Sequence, residues 1–143
     1  MEVSIRSAAG TDAGALGALF AQLGYPGGAD GLEARLEALL ADERADVLVA
    51  LDPDGRIVGA LTLYLVPVAH EDGPWCRLTA VVVAEGARSE GIGGALVSAA
   101  ETVAERAGCT RIEATSKLHR TRAHAFYEHL GYAREAAHFV KRP

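Results

Sequence analysis

One stretch of the sequence restricts the fold more than any other. Leu78-Thr79-Ala80-Val81-Val82-Val83 passes through Ala84-Glu85-Gly86-Ala87-Arg88-Ser89-Glu90 into Gly91-Ile92-Gly93-Gly94-Ala95-Leu96. The first six residues are rich in β-branched side chains and almost continuously apolar, the pattern of a central strand covered on both faces. From Gly91 to Ala107 the residues Ile92, Leu96, Ala99 and Val103 recur at helical spacing, and Gly108 supplies a C-terminal stop. A buried strand therefore feeds a glycine-rich loop that opens directly into a helix. Unpaired main-chain N–H groups and the positive end of the helix dipole converge there, which makes an anion site. Glycines at 91, 93 and 94 let the main chain approach phosphate oxygens without a Cβ in the way, and Arg88 adds a charge-assisted contact.

The rest of the chain supplies partners for that unit. Val3 to Arg6 alternates as a short strand, and Thr11 or Asp12 can cap a helix carrying Leu16, Leu19, Phe20 and Leu23, stopped by Gly24 and Pro26. Asp30 and Glu33 form a capping box for a second helix with Leu32, Leu36, Leu39 and Leu40 on one face. Val47–Leu51 and Ile57–Val66 read as strands joined by Asp52-Pro53-Asp54-Gly55, and a loop from Pro67 to Pro74 follows. Arg111–Thr115 is a further strand, Thr121 to Leu130 a helix closed by Gly131, and Ala137–Arg142 a final strand. The order β-α-α-β-β-β-α-β-α-β, with no repeats or linkers, predicts one mixed α/β domain, which suits 143 residues.

Charge is distributed unevenly. Up to Ala87 there are 5 basic and 13 acidic residues, and from Arg88 onward 9 basic and 6 acidic, so a net charge of −5 hides halves of −8 and +3. One half suits an anion and the other a cation. No dense Lys/Arg run supplies a nucleic-acid footprint, and the longest nearly apolar stretch, Ile57 to Ala69, is too short for a bilayer span. MEVSIRSAAG lacks the features of a secretory signal, so a cytoplasmic location is expected. Cys76 and Cys109 show no metal-ligand spacing and read as core thiols, and the spacing of His119, His124 and His129 is wrong for a metal site.

Two familiar phosphate loops do not fit. A Walker loop needs a Lys-Ser or Lys-Thr pair that is absent, and a Rossmann fingerprint would place Gly where Leu96 stands and would follow the first strand rather than a later one. Arg88-x-x-Gly91-x-Gly93 instead resembles the coenzyme A pyrophosphate loop of the GNAT superfamily of N-acetyltransferases, Gln/Arg-x-x-Gly-x-Gly/Ala. The segment Arg120 to Tyr132, with Ala123, Phe126-Tyr127, Leu130-Gly131 and a terminal Tyr132, is similar to the second signature of that family. The likeness extends from about Asp46 to Lys141, while the first 45 residues share only a strand and two helices with the family's substrate-facing part.

The resemblance implies a mixed sheet of six or seven strands flanked by four helices, opened between the Val81 strand and the Arg111 strand. It implies that the backbone of Val81, Val82 and Val83 meets the pantetheine arm of acetyl-CoA, and that Arg88, Ser89, Glu90, Gly91, Ile92, Gly93 and Gly94 hold the pyrophosphate. An exposed strand edge and a helix N-terminus suit an amide-bearing arm and a diphosphate. Tyr127 is implied as the acid that protonates the departing thiolate. By spacing alone Tyr127 shares a helical face with Ala123 and Leu130 and reads as a core aromatic, and only the flanking motif favours a catalytic role.

Two departures from the family pattern remain. Where some members carry a Glu in the strand before the loop, this chain has Thr79, so a base is sought in His70, Glu71 or Asp72, in a solvated loop, or is dispensed with. Where many members have Asn seven residues before the tyrosine, this chain has Arg120, which with Arg122 either reaches the nucleotide phosphate or forms a charged helix start. Trp75 and Tyr64 line the acceptor pocket or pack in the core. The expected activity is acetyl transfer from acetyl-CoA, without a metal, to a primary amine of a small cationic acceptor in a ternary complex. An acyl-CoA sensor without turnover and a peptide or protein acetyltransferase are the alternatives, and dimers are frequent in the family.

Overall fold

Alternation of apolar residues about the Asp52 turn dictates the hairpin at the centre of the fold. A computed structural model describes residues 1–23, 30–116, 118 and 120–143. Its elements are β1 (Ser4–Ser7), α1 (Ala13–Ala21), α2 (Leu32–Ala41), β2 (Ala45–Leu51), β3 (Ile57–Val66), β4 (Trp75–Val83), α3 (Ile92–Arg106), β5 (Arg111–Ala114) and α4 (Thr121–His129). Between β2 and β3 the Asp52 carboxylate accepts the N–H groups of Asp54 and Arg56, both at 2.9 Å, and Gly55 takes the φ of +82° that the turn requires.

The strands form one sheet in the order β1-β2-β3-β4-β5, with antiparallel neighbours up to β4 and a parallel β4–β5 pair. Helix α3 covers one face, packing Ile92, Leu96 and Val97 on Leu61, Leu63 and Leu78. Helices α1 and α2 cover the other, packing Leu16, Leu19 and Leu36 on Val47, Val49 and Val82. Among the described residues no helix is long and apolar enough to cross a membrane.

Five strands, rather than six or seven, are present among the described residues. The strand expected at Ala137–Arg142 is absent, and Phe139 and Val140 are exposed there. An extended segment with no neighbour to pair and no buried face gains nothing to offset its ordering entropy. The expected capping groups are also replaced. Asp12 ends a short 3-10 turn and its carboxylate accepts the Ala9 N–H at 2.7 Å and the Arg6 guanidinium at 2.8 Å, while α2 is entered through Gly31 at φ +70° with no side-chain cap. Gly24, Pro26 and His119 lie outside the described residues. Cys76 is fully buried, which pushes its thiol up to about 11, and Cys109 is half-buried; both are free.

Candidate active site

The parallel β4–β5 ladder is short. It pairs Trp75 with Arg111 and ends where Leu78 meets Ala114, so Thr79–Val83 have a strand neighbour only on the β3 side among the described residues. The direction of their free groups follows from β3. The Ala84 N–H donates to the Val58 carbonyl at 2.8 Å, and backbone groups alternate along a strand, so the N–H and C=O of Val83 and Val81 turn away from β3 toward the gap. The Val83 carbonyl accordingly accepts from Arg88 Nε, at 3.4 Å. Val82 turns its side chain to the α1–α2 face, where it is buried, whereas Val81 and Val83 pack toward α3.

At the end of β4 the chain makes the loop that the glycines predict. Ser89 and Gly91 both have left-handed backbones, at φ +66° and +78°. The first intrahelical bond that reaches back to Gly91 comes from Ala95, at 3.0 Å, and no side chain caps α3. The N–H groups of Ile92, Gly93 and Gly94 thus lie in the unpaired first turn, at the positive end of a 15-residue helix. Gly93 has a second reason to be glycine. A Cβ there would lie 3.0 Å from the Phe126 ring, so α3 and α4 approach each other through the absence of that atom.

Helix α4 carries the two aromatic residues of the second signature. The Tyr127 ring packs edge-on against Phe126 at 5.1 Å and against Tyr132 at 5.8 Å, on the same apolar core as Val81 and Val83. Burial raises its hydroxyl above the usual tyrosine value. The two tyrosines are partnered differently: Tyr132 donates to Glu101 Oε2 at 3.1 Å, whereas the Tyr127 hydroxyl has no hydrogen-bond partner among the described residues. A half-buried, protonated and unengaged hydroxyl is equipped to donate to a ligand.

Thr79 lies at a register irregularity between β3 and β4. Its hydroxyl lies 2.6 Å from that of the buried Thr62, a pair in which either oxygen can donate, and 3.1 Å from the Thr62 carbonyl. Whichever of the two hydroxyls donates, Thr79 keeps a lone pair for an outside donor.

The loop before β4 is not brought to this place. His70, Glu71 and Asp72 precede β4, at the end of the strand opposite the glycine loop. The Glu71 carboxylate accepts from Thr110 at 2.7 Å and from Trp75 Nε1 at 2.8 Å, and these two bonds hold its pKa below the usual carboxylate range. His70 stands edge-on to the Trp75 ring, and Arg111 stacks on it at 4.4 Å from the centroid. Tyr64 donates to Asp42 Oδ2 at 2.9 Å. Arg88 and Arg120 are also committed: Arg88 donates to Gln22 Oε1 and Arg120 to the Leu23 carbonyl, each at 3.2 Å. Sequence reasoning missed Gln22 and Leu23, because nothing in the pattern of α1 links them to residues 66 and 97 positions away. Among the described residues no group of His, Cys, Asp and Glu could hold a metal ion.

Comparison with known proteins places this geometry. The sequence model described as "Acetyltransferase (GNAT) family" matches residues 18–132. The uncharacterized N-acetyltransferase YhfO of Bacillus subtilis is 31% identical over 91% of this chain and 89% of its own. The aminoglycoside N(6')-acetyltransferase type 1 of Klebsiella aerogenes is 40% identical over 76 residues, which is 52% of this chain and 50% of that protein, so the chain spans about half of that relative's length. Among solved structures, AAC(6')-Iy in complex with the bisubstrate analog CoA-S-monomethyl-acetylneamine superposes with a TM-score of 0.87 over 100% of this chain and 99% of its own, at 20% identity. With the family's sequence model covering most of its length, the chain belongs to the GNAT family of acetyltransferases.

Proposed function

We propose that the protein transfers the acetyl group of acetyl-CoA to a primary amine of a small, cationic acceptor, directly and in a ternary complex. The observation that carries this reading is the edge of β4 at Val81–Val83, which among the described residues has no strand neighbour on that side, leads into an N-terminus of α3 without a side-chain cap, and stands on the same core as Tyr127, whose hydroxyl has no partner among them. The edge is suited to the amides of the pantetheine arm and the helix start to the pyrophosphate. Arg88, whose Nε reaches the Val83 carbonyl, adds a cation at the loop.

In the reaction the neutral amine nitrogen attacks the thioester carbon, its proton is lost to water, and the carbon–sulfur bond breaks. The sulfur leaves with the bonding pair and takes the Tyr127 proton, which solvent later restores. A main-chain N–H from the open edge at Val81 or Val83 serves the oxyanion, and the free lone pair of Thr79 orients the entering amine. The aminoglycoside N(6')-acetyltransferase among its relatives supports a cationic acceptor.

Titration with acetyl-CoA, followed by assay of thiol release across aminoglycosides, polyamines, amino-acid derivatives and amino-terminal peptides, tests the reading. Turnover with the small cations supports it; turnover with peptides alone moves the acceptor to a protein; binding without turnover leaves a sensor; absence of binding removes the proposal. In this reading Glu71 is a loop clamp rather than a base. Glu71→Gln is expected to keep kcat within about twofold, while its melting temperature falls at neutral pH as the Thr110 and Trp75 bonds weaken. Because the folded pKa is depressed, that contribution is present above the ordinary carboxylate pKa and disappears as pH falls through the lowered one, so wild type and variant converge in acid. A large fall in kcat would return Glu71 to the chemistry.

A further inference from the structure

The last turn of α1 packs only partly on the core beneath it. Leu16, Gly17 and Leu19 are buried, but Phe20 and Leu23 are only half-buried and Ala21 and Gln22 are exposed. Two guanidinium groups also reach it. Arg88, from the loop between β4 and α3, donates to Gln22 Oε1, and Arg120, at the N-cap of α4, donates to the Leu23 carbonyl in a partly buried bond. A guanidinium at a helix C-terminus is favoured by the dipole as well as by the hydrogen bond.

These two arginines come from the elements that carry the glycine loop and Tyr127. One face of the sheet beside Val81–Val83 is covered by α3 and α4 and the other by α1 and α2, so the end of α1 borders the gap on one side. The end of α1 is the part of that side tied to both arginines. We propose that Arg120 is a positioning residue, which fixes the end of α1 against the start of α4 and so sets the wall along which the acceptor enters, rather than a ligand of the coenzyme. The proposal rests on the acetyltransferase reading for its kinetic consequence, although the tie itself does not depend on it.

Arg120→Ala, Arg120→Lys and Gln22→Ala test it in the full chain, with coenzyme A as the binding probe, a turned-over amine from the panel as acceptor, and amide exchange measured without ligand. The amides to follow are those of Gln22 and Leu23, which donate to Leu19 and Phe20 at 3.0 Å. Arg120→Ala is expected to speed their exchange and raise acceptor KM by about threefold to tenfold, the range of one ordinary hydrogen bond, with the coenzyme Kd within about twofold of wild type. Lys, retaining one donor, recovers part of both effects. Gln22→Ala, which cuts the other tie and leaves both arginines in place, raises acceptor KM with no loss of coenzyme affinity.

A tenfold weaker coenzyme Kd in Arg120→Ala with unchanged exchange would make Arg120 a phosphate ligand and overturn the proposal. Unchanged acceptor KM in both alanine variants would overturn it too. If the wild type fails to bind coenzyme A, the acetyltransferase reading fails separately, and the exchange measurement still decides whether Arg120 holds α1.

Discussion

Tyr127→Phe is expected to lower kcat by roughly 10²- to 10⁴-fold, the range over which a positioned general acid acts. Coenzyme A affinity should stay within about twofold, because the hydroxyl makes no bond that folds the chain and the ring keeps its contacts with Phe126 and Tyr132. Tyr132→Phe provides the contrast. Its hydroxyl is engaged by Glu101, so the variant should lose stability and retain most of its kcat. The pH dependence has a definite sign. Burial raises the Tyr127 pKa above its ordinary 10.0, so the proposed acid stays protonated throughout the neutral and mildly alkaline range and imposes no alkaline limb on kcat there. The same shift contributes stability below the unfolded-state pKa, and that contribution is lost as pH rises through the folded one. Rapid-mixing measurement of thiol release in the two variants checks the assignment, and wild-type rates in Tyr127→Phe would end it.

The residues that were legible in sequence are those whose role is local. Val81 to Gly94 announces a strand, a loop and a helix because periodicity and glycine placement are properties of neighbours in the chain, and the structure forms β4 and α3 there. The parallel pairing of β4 was less visible. Its apolarity suggests a strand covered on both sides, which is correct for both faces, yet nothing in Leu78 to Val83 shows that the β5 ladder stops at Leu78. Charge counting was the least transferable step. The positive half of the chain was set against an anion at the loop, but Arg111 stacks on Trp75, Arg134 pairs with Glu128 at 2.9 Å and Arg120 reaches Leu23 at 3.2 Å. A formal charge total cannot distinguish a cation aimed at a ligand from one already engaged by the fold. Glu71 illustrates the same point for an anion, because its two partners come from β4 and from the turn after α3.

Gly93→Val is expected to be among the most damaging single substitutions at the loop, and for a reason other than phosphate access. A Cβ at 93 already falls 3.0 Å from Phe126 Cε1 and 3.1 Å from Cζ, so alanine needs the ring to yield slightly, whereas the two methyl groups of valine demand a real displacement of α4. Overpacking of this kind costs about 1–3 kcal/mol. The functional loss should be larger than the stability loss suggests if Tyr127 is the proposed acid, because Phe126 is its neighbour and moving a catalytic group by about 1 Å can cost on the order of 10²-fold. Gly86 is the control: a Cβ there meets nothing within 4 Å, and Gly86→Ala should leave both melting temperature and kcat close to wild type. The double variant Gly93→Val with Phe126→Leu separates the two explanations for the glycine. If Gly93 is needed for the contact between α3 and α4, shortening residue 126 restores part of the melting temperature and of kcat, a coupling that a double-mutant cycle reads directly. If Gly93 is needed only so that its main chain can meet the pyrophosphate, the double variant stays as weak in coenzyme Kd as the single one, and the packing argument fails.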